Sequence, residues 1–206
     1  MIRLYRAPYS TNVERVGLAL AHKGVEVESV WISYSDRSLV ERVSGQGLVP
    51  VVEFEDGTVV HDSMQIVREL EERFPDNPLY PGNAAGRARV VHFVYWFNDV
   101  WKIAPNAIAA EIEQDVPDVG RIEELGREVA ATLDRFETML ADREHLISDE
   151  FSAADVAAYP FLKYAAWRDP ADDELFHRVL DGYQQLGDEH PRLADWIARI
   201  DARPRV

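Results

Sequence analysis

The sequence contains no cysteine among its 206 residues. This absence excludes disulfide bonds, metal sites built from thiolates and a cysteine nucleophile. Any thiol chemistry must therefore use a sulfur atom that a ligand brings.

Long apolar segments and excess positive charge are also missing. No run of residues is apolar enough to span a bilayer, and the first residues, MIRLY, lack the pattern of a signal peptide. Lysine and arginine number 22 against 37 aspartates and glutamates, which gives a formal net charge of -15. This charge disfavours nucleic acid and anionic membranes as partners. We therefore expect a cytoplasmic protein that binds neither.

The most informative stretch contains a β-hairpin signal. Two short runs rich in β-branched residues, 51–54 and 58–60, flank the turn dipeptide Asp56-Gly57. Pro50 lies at the start of the first run, where a missing N–H is tolerated. The segment therefore predicts two antiparallel strands.

A helical pattern opens directly after the hairpin, at Asp62 and Ser63. Either side chain can cap this helix. A helix N-terminus that carries a hydroxyl favours a carboxylate, and a nearby carboxylate side chain favours an ammonium group. The helix start therefore either suits a ligand that carries both charges or is simply a capped helix after a plain hairpin.

The first 75 residues alternate strands and helices. We predict strands at 2–6 and 25–32, a helix from Thr11 or Asn12 to about His22, a weak helix at 36–43, and then the hairpin and its helix. A strand, crossover helix and strand favour a parallel pair, to which the hairpin adds antiparallel strands. This order is thioredoxin-like.

Residues 76–82, DNPLYPG, are the best candidate for a linker. Beyond them the hydrophobic period is helical throughout. We predict helices at 83–112, interrupted or kinked near Pro105, and at 118–142, 152–167, 172–186 and 191–202. The expected organisation is an α/β domain at 1–75 and an all-α domain at 83–206.

The third of these helices has a specific start signal, Phe151-Ser152-Ala153-Ala154-Asp155. Ser152 as N-cap and Asp155 three residues later form a capping-box arrangement, with Asp in place of Glu. This motif predicts that a helix begins after Ser152.

Together these motifs resemble the glutathione transferase family. Val49-Pro50, the hairpin and Asp62-Ser63 match the family's Val-Pro with a cis peptide bond, its hairpin and its acid-serine pair. FSAAD at 151–155 resembles the Phe-Ser-x-Ala-Asp motif of its carboxy-terminal domain. The resemblance covers nearly the whole chain. It implies a thioredoxin-like amino-terminal domain, an all-α carboxy-terminal domain, glutathione as co-substrate or cofactor, no metal, and a homodimer.

The resemblance also implies a glutathione site. The main chain of Val49, turned by cis Pro50, would pair with the cysteinyl backbone, and Asp62 and Ser63 would hold the γ-glutamyl end. Leu48 replaces a polar family residue that contacts the glycine end of the peptide. Gln46 is the candidate substitute for that contact.

Ser10 matches the position at which serine-type members of the family place their catalytic hydroxyl. A serine hydroxyl can donate a hydrogen bond that favours thiolate over thiol. Tyr5 is the runner-up, because tyrosine-type members use a tyrosine near the end of the first strand. A turn or helix-cap role for Ser10 is the structural alternative.

The family's electrophile pocket implies a third set of candidates: Tyr9, Tyr95, Trp96 and Asp99. The alternative is that this aromatic stripe belongs to ordinary core or dimer packing. The histidines show no metal-ligand spacing.

The leading functional expectation is a glutathione transferase that activates the thiol for attack on a small hydrophobic electrophile. A second is an isomerase or dehalogenase of the same family that uses glutathione and returns it. A third is a non-catalytic binding or stress protein of transferase-like fold, which the loss of a polar contact at Leu48 favours.

Overall fold

A computed structural model describes all 206 residues of the chain. It divides into two compact units, one made of Met1–Tyr80 with Arg203–Val206 and the other of Pro81–Ala202.

The first unit combines four strands and three helices. The elements in chain order are β1 (Arg3–Arg6), α1 (Thr11–Lys23), β2 (Glu28–Trp31), α2 (Ser38–Ser44), β3 (Val51–Glu53), β4 (Val59–His61) and α3 (Ser63–Arg73). The predicted order of strands and helices is confirmed, with β2 shorter than the predicted run.

One sheet holds the four strands in the order β2-β1-β3-β4. β1 is parallel to β2 and antiparallel to β3, and β3 is antiparallel to β4. The strand–helix–strand and hairpin rules therefore predicted both kinds of pairing correctly. The hairpin returns the chain to the start of α3, so residues before β3 and after β4 lie near each other.

Buried charge fixes the end of α1. Gly24 ends the helix in the left-handed conformation, with φ of 66°. The Lys23 ammonium forms a 2.7 Å ion pair with Glu71 on α3 and donates to the carbonyl of Phe74 at 2.8 Å. Both carbonyl and carboxylate satisfy a cation that would be costly to bury alone.

The last four residues pack with the first unit. Arg205 pairs with Glu14 on α1 at 3.0 Å, and Arg6 on β1 donates to the main-chain oxygen of Val206 at 2.8 Å. The sequence prediction had placed residues up to 206 in the helical domain. The structure instead groups residues 203–206 with the first unit, where the ion pair to α1 and the hydrogen bond from β1 hold them.

The second unit is all-helical. Its helices are α4 (Ala84–Trp96), α5 (Ile103–Ile112), α6 (Val119–Met139), α7 (Ala153–Leu162), α8 (Leu175–Tyr183) and α9 (Pro191–Asp201). A π-helical turn, Phe97–Trp101, joins α4 to α5, and a short 3₁₀ turn, Lys163–Ala165, follows α7.

The interruption of the 83–112 segment was predicted near Pro105, and the structure places it earlier. Pro105 lies in the first turn of α5. The N–H groups of a first turn have no partner within the helix, so proline is tolerated there without a break. The chain departs from α-helical geometry at Phe97–Trp101 instead.

The predicted capping box is confirmed. Ser152 accepts from the N–H of Ala154, and Asp155 Oδ2 accepts from the N–H of Ser152 at 2.9 Å. α7 is buried along its whole length. The predicted fold class, a thioredoxin-like α/β domain followed by an all-α domain, is confirmed. None of the helices is both long and apolar enough to cross a membrane.

Candidate active site

The first unit contains a cavity of about 280 Å³ beside the hairpin. Five of the predicted glutathione-binding residues line it together: Gln46, Val49, Pro50, Asp62 and Ser63. Asn12, Leu48 and His61 complete the lining. These residues come from the start of α1, the loop before β3 and the start of α3, which the sheet brings to one place.

The loop before β3 presents main-chain groups to the cavity. The Val49–Pro50 peptide bond is cis, as predicted. Val49 lies outside the strands, and no backbone hydrogen bond of the protein uses its N–H or C=O. The peptide groups of Val49 are therefore available to pair with an extended ligand backbone.

The side chain of Gln46 braces this loop. Its Nε2 donates to Ser44 Oγ at 2.9 Å and to the carbonyl of Leu48 at 3.0 Å, and its Oε1 accepts from the N–H of Leu48 at 2.6 Å. Leu48 itself is 75% exposed. Gln46 lines the cavity, but its amide holds the backbone next to Val49.

Asp62 caps α3 and carries unusual backbone geometry. Its Oδ1 accepts from the N–H groups of Met64 and Gln65 at 3.0 and 2.9 Å. Its φ is 69°, in the left-handed region that non-glycine residues seldom adopt. These hydrogen bonds use only one carboxylate oxygen, which leaves the other able to accept from a ligand.

Ser63 connects the cavity to a buried polar cluster. Its hydroxyl donates to Asn12 Oδ1 at 3.2 Å. Arg15 Nη1 donates to the same Asn12 oxygen at 3.2 Å and to Ser63 Oγ at 3.3 Å. Burial lowers the pKa of Arg15 to about 9, and the negative charge of Asp62 acts in the opposite direction. The guanidinium therefore remains charged at neutral pH.

Ser10 is the N-cap of α1, and its Oγ accepts from the N–H of Val13 at 3.3 Å. It is not among the residues that line the cavity, but it precedes the cavity residue Asn12 by two positions at the same helix N-terminus. The cap uses an acceptor site of the hydroxyl, so its hydrogen can point to a ligand. The partial positive charge of the helix end also favours an anion.

The hydroxyl of Tyr5 is committed elsewhere. It donates to Glu53 Oε2 at 2.7 Å, across the β1–β3 pair. Burial raises the pKa of Tyr5, and the hydrogen bond to Glu53 raises it further. Both effects oppose the use of this phenol as a source of negative charge near neutral pH.

The turn that carries Ser10 is held by a residue that the sequence did not single out. Tyr34 Oη donates to the carbonyl of Pro8 at 2.6 Å. Tyr9 adopts a φ of 58° and is 40% exposed. The left-handed residue lets the chain turn from β1 into α1, where Ser10 begins the helix.

The remaining predicted site residues belong to the helical unit. Tyr95 and Asp99 are exposed there, and Trp96 is half-buried. The Arg135 guanidinium lies 4.1 Å from the centroid of the Trp96 ring. Trp96 also packs against Phe93 and Phe136.

Arg15, Asn12 and Tyr34 were missed as functional candidates. The sequence predicts only a helix-cap role for Asn12. A sequence signal exists for the first pair, because residues 12 and 15 are three apart and share a helix face. Nothing in the sequence shows that Arg15 is buried, since arginine on a helix is usually exposed.

A thioredoxin-like unit with a cavity beside a cis-proline, followed by an all-helical unit, defines the class of architecture. Residues 4–78 match the family model described as Glutathione S-transferase, N-terminal domain, and residues 120–199 match Glutathione S-transferase, C-terminal domain. The chain belongs to the glutathione S-transferase family. The predicted family and the predicted glutathione S-transferase class of enzyme are confirmed.

Similar proteins extend along most of the chain. It is 27% identical to maleylacetoacetate isomerase of Pseudomonas aeruginosa, over 96% of this chain and 91% of that protein. It is 25% identical to glutathione S-transferase F6 of Arabidopsis thaliana, over 98% and 96%. A solved glutathione S-transferase from Methylobacillus flagellatus KT with GSH bound matches with a TM-score of 0.78 at 25% identity, over 98% of this chain and 96% of that one.

Proposed function

We propose that this chain is a cytoplasmic, serine-type glutathione transferase that binds glutathione in the cavity beside Pro50 and attacks a small hydrophobic electrophile. The observation that carries the proposal is the convergence of Gln46, Val49, Pro50, Asp62 and Ser63 on one cavity. A solved relative with GSH bound supports glutathione as the ligand.

The γ-glutamyl end of glutathione is a zwitterion, and the start of α3 suits both of its charges. The free oxygen of Asp62 accepts from the ammonium group. The hydroxyl of Ser63 and the positive end of the α3 dipole favour the α-carboxylate.

The middle of the peptide lies along the main chain of Val49. Its N–H and C=O would pair with the cysteinyl backbone in the manner of an added strand. Gln46 contributes by fixing the main chain of Leu48 rather than by contacting the ligand.

Ser10 favours the thiolate of bound glutathione. A hydrogen bond to a charged group contributes roughly 1.5–3 kcal/mol, which corresponds to a decrease of the thiol pKa by on the order of 1–2 units. From an ordinary value near 8.5 the pKa would fall to roughly 6.5–7.5, so between about a quarter and three quarters of the thiol would be ionised at pH 7. The N-terminus of α1 acts in the same direction.

The electrophile is proposed to meet aromatic surface of the helical unit. Tyr95 is 53% exposed, and the next residue of the chain, Trp96, is half-buried. Such surface binds apolar or aromatic molecules.

An isomerase that returns glutathione unchanged is the second candidate. Its specific support is the 27% identity to maleylacetoacetate isomerase of Pseudomonas aeruginosa. The two reactions differ in the fate of glutathione, which a transferase consumes.

Calorimetric titration with glutathione tests the proposal. We expect saturable binding by the parent chain, and roughly tenfold weaker binding by Ser63→Ala, because one charge-assisted hydrogen bond is lost. Ser29→Ala on β2, outside the cavity, is the matched control and should bind as the parent does. Absence of binding by the parent would reject the transferase and the isomerase together.

Turnover then separates the two enzymes. With a generic aromatic electrophile, a transferase consumes glutathione in equal amount to product. Isomerisation of a maleyl-type substrate at constant glutathione concentration, without conjugation of any electrophile, would favour the second candidate.

A further inference from the structure

A buried arginine lies next to the proposed γ-glutamyl site. Arg15 is 1% exposed, yet it contacts two residues of the cavity wall, Asn12 and Ser63. Burying a guanidinium is costly unless its donors are satisfied. Such a residue is expected to be retained for a reason beyond filling space, because an apolar side chain of similar volume avoids that cost.

Charges of opposite sign lie in the cavity wall and behind it. Arg15 is positive and buried, and Asp62 at the start of α3 is negative and close enough to raise the pKa of the arginine against the effect of burial. An α-amino acid group presents one positive and one negative end. The site therefore complements the γ-glutamyl head of glutathione on both ends.

Hydrogen-bond capacity then decides which atom can donate to the carboxylate. The Ser63 hydroxyl has a single hydrogen, which in this structure points to Asn12 Oδ1 at 3.2 Å. Arg15 Nη1 donates to both Asn12 Oδ1 and Ser63 Oγ. If Ser63 turns its hydrogen towards a ligand, Asn12 Oδ1 and Ser63 Oγ each still accept a hydrogen bond from Arg15 Nη1.

We infer that Arg15 is a positioning residue that frees the Ser63 hydroxyl to donate to the α-carboxylate of the γ-glutamyl ligand. This inference rests on the proposed function. Arg15 acts through Ser63 and Asn12 rather than by touching the ligand. It adds positive charge behind the serine, which strengthens the hydroxyl as a donor to an anion.

A merely structural role makes a different prediction. If Arg15 only fills the interior, its replacement weakens the fold and every ligand alike. If it supports the carboxylate site, replacement weakens only ligands that carry the carboxylate. The comparison needs two ligands that differ in this one group.

The test uses S-methylglutathione and its analogue in which 4-aminobutyrate replaces the γ-glutamyl residue. The analogue keeps the ammonium group and lacks the α-carboxylate. In calorimetric titrations the parent should bind S-methylglutathione about 10–100-fold more tightly than the analogue, as expected for a charge-assisted hydrogen bond in this site. In Arg15→Met this preference should fall at least about fivefold.

Lys23→Met is the matched control. Lys23 is also a buried cation on α1, but its partners are Glu71 and the carbonyls of Phe74, Asp76 and Asn77. Its replacement should lower stability and leave the preference between the two ligands unchanged.

Kinetics supply a second readout. Arg15→Met should raise KM for glutathione, while the pKa of the bound thiol, which Ser10 controls, stays at the parent value. Arg15→Lys guards against a methionine variant that does not fold. Its shorter side chain carries a compact, strongly hydrated ammonium in place of the planar guanidinium, so its contacts with Asn12 Oδ1 and Ser63 Oγ should weaken and its preference should fall about threefold.

The outcomes are distinct. Equal weakening of both ligands by Arg15→Met, or a lysine variant that discriminates as the parent does, overturns the role of Arg15 alone. Failure of the parent to bind either ligand overturns the proposed function and this inference together. A selective loss of affinity for the carboxylate-bearing ligand in Arg15→Met supports both the proposed function and the role of Arg15.

Discussion

Tyr5 and Glu53 form a hydrogen-bonded pair within the sheet. The 2.7 Å hydrogen bond from the Tyr5 hydroxyl is the largest cause of the lowered pKa of Glu53. A carboxyl whose folded-state pKa is depressed adds stability above its unfolded-state pKa, ordinarily about 4.3, and loses it as pH falls through the folded-state value. The pair therefore couples a strand contact to acid stability.

Tyr5→Phe should lower the free energy of unfolding at neutral pH, by an amount that shrinks as the pH falls below about 4.3 and Glu53 becomes protonated. Denaturant unfolding across a pH series measures this. Tyr95→Phe, at an exposed tyrosine of the helical unit, is the control and should show no such dependence. If the free energies of unfolding of Tyr5→Phe and the parent differ by the same amount at every pH, the coupling between Tyr5 and Glu53 is contradicted.

At the residue scale, the sequence predicted the residues that line the cavity better than the residues that hold this lining in place. The family resemblance implied Val49, Asp62 and Ser63, and the hairpin signal predicts that the segments carrying them, before β3 and after β4, lie next to each other. The burial of Arg15 was not predictable, because it depends on the packing of α1 against α3, which local sequence does not specify. The hydrogen bond from Tyr34 to the carbonyl of Pro8 was not predictable either, because it joins residues that are distant in the chain.

At the scale of elements, the N-terminus of α7 depends on a buried carboxylate. The buried carboxylate of Asp155 accepts from the N–H groups of Ser152 and Leu146 and from Trp196 Nε1, at 2.9, 3.1 and 2.8 Å. This carboxylate therefore joins the helix cap to the preceding loop and to α9. Its removal leaves several buried donors without an acceptor.

Asp155→Ala should lower the free energy of unfolding by about 3 kcal/mol, because each orphaned buried donor costs about 1–3 kcal/mol and the costs are not additive. Asp118→Ala removes the exposed N-cap of α6, where Asp118 accepts from the N–H of Arg121, and should cost only about 1 kcal/mol. Activity per folded molecule should stay near the parent value in both. Equal stability of the Asp155 variant and the parent, in denaturant titrations, would contradict the role of Asp155 as a shared acceptor.

Element boundaries were predicted well where a capping residue marks them and less well elsewhere. Ser152, Asp62 and Gly24 mark ends that the structure reproduces. The break between α4 and α5 has no such marker. The prediction therefore used Pro105, which the first turn of α5 accommodates, and the π-helical turn at Phe97–Trp101 was not foreseen.

At the scale of the molecule, the formal net charge of -15 opposes self-association. We propose that the chain forms a C2 homodimer, as its family resemblance implies. The dissociation constant should decrease as salt is raised, because the Debye length falls from about 30 Å at 0.01 M to about 10 Å at 0.1 M and screens the repulsion.

Sedimentation velocity across a salt series, with protein concentration held fixed, measures this association. An uncharged osmolyte at matched density is the control and should not reproduce the salt effect. A monomer at every salt concentration would reject the dimer.

The assignment of chain segments to units also shows a limit of local sequence signals. The proline-rich segment at 76–82 marks the passage from the sheet to the helices. No local pattern indicates that residues 203–206 return to the first unit, since the ion pair between Arg205 and Glu14 on α1 joins residues at opposite ends of the chain.

The central claim is that Ser10 stabilises the thiolate of glutathione bound in the cavity beside Pro50. The direct measurement is the ultraviolet absorbance of the thiolate, followed over a pH series with glutathione bound to the parent, to Ser10→Ala and to Ser10→Thr. The threonine variant keeps both the hydroxyl and a competent helix cap, whereas the alanine variant also loses about 1 kcal/mol of capping.

In Ser10→Ala the pKa of the bound thiol should rise by on the order of 1–2 units, and the pH–rate profile should move to higher pH by the same amount. Glutathione affinity should change little, because Val49, Asp62 and Ser63 contact other parts of the peptide. Ser10→Thr should titrate close to the parent. A thiol pKa that is the same in Ser10→Ala as in the parent would contradict the account.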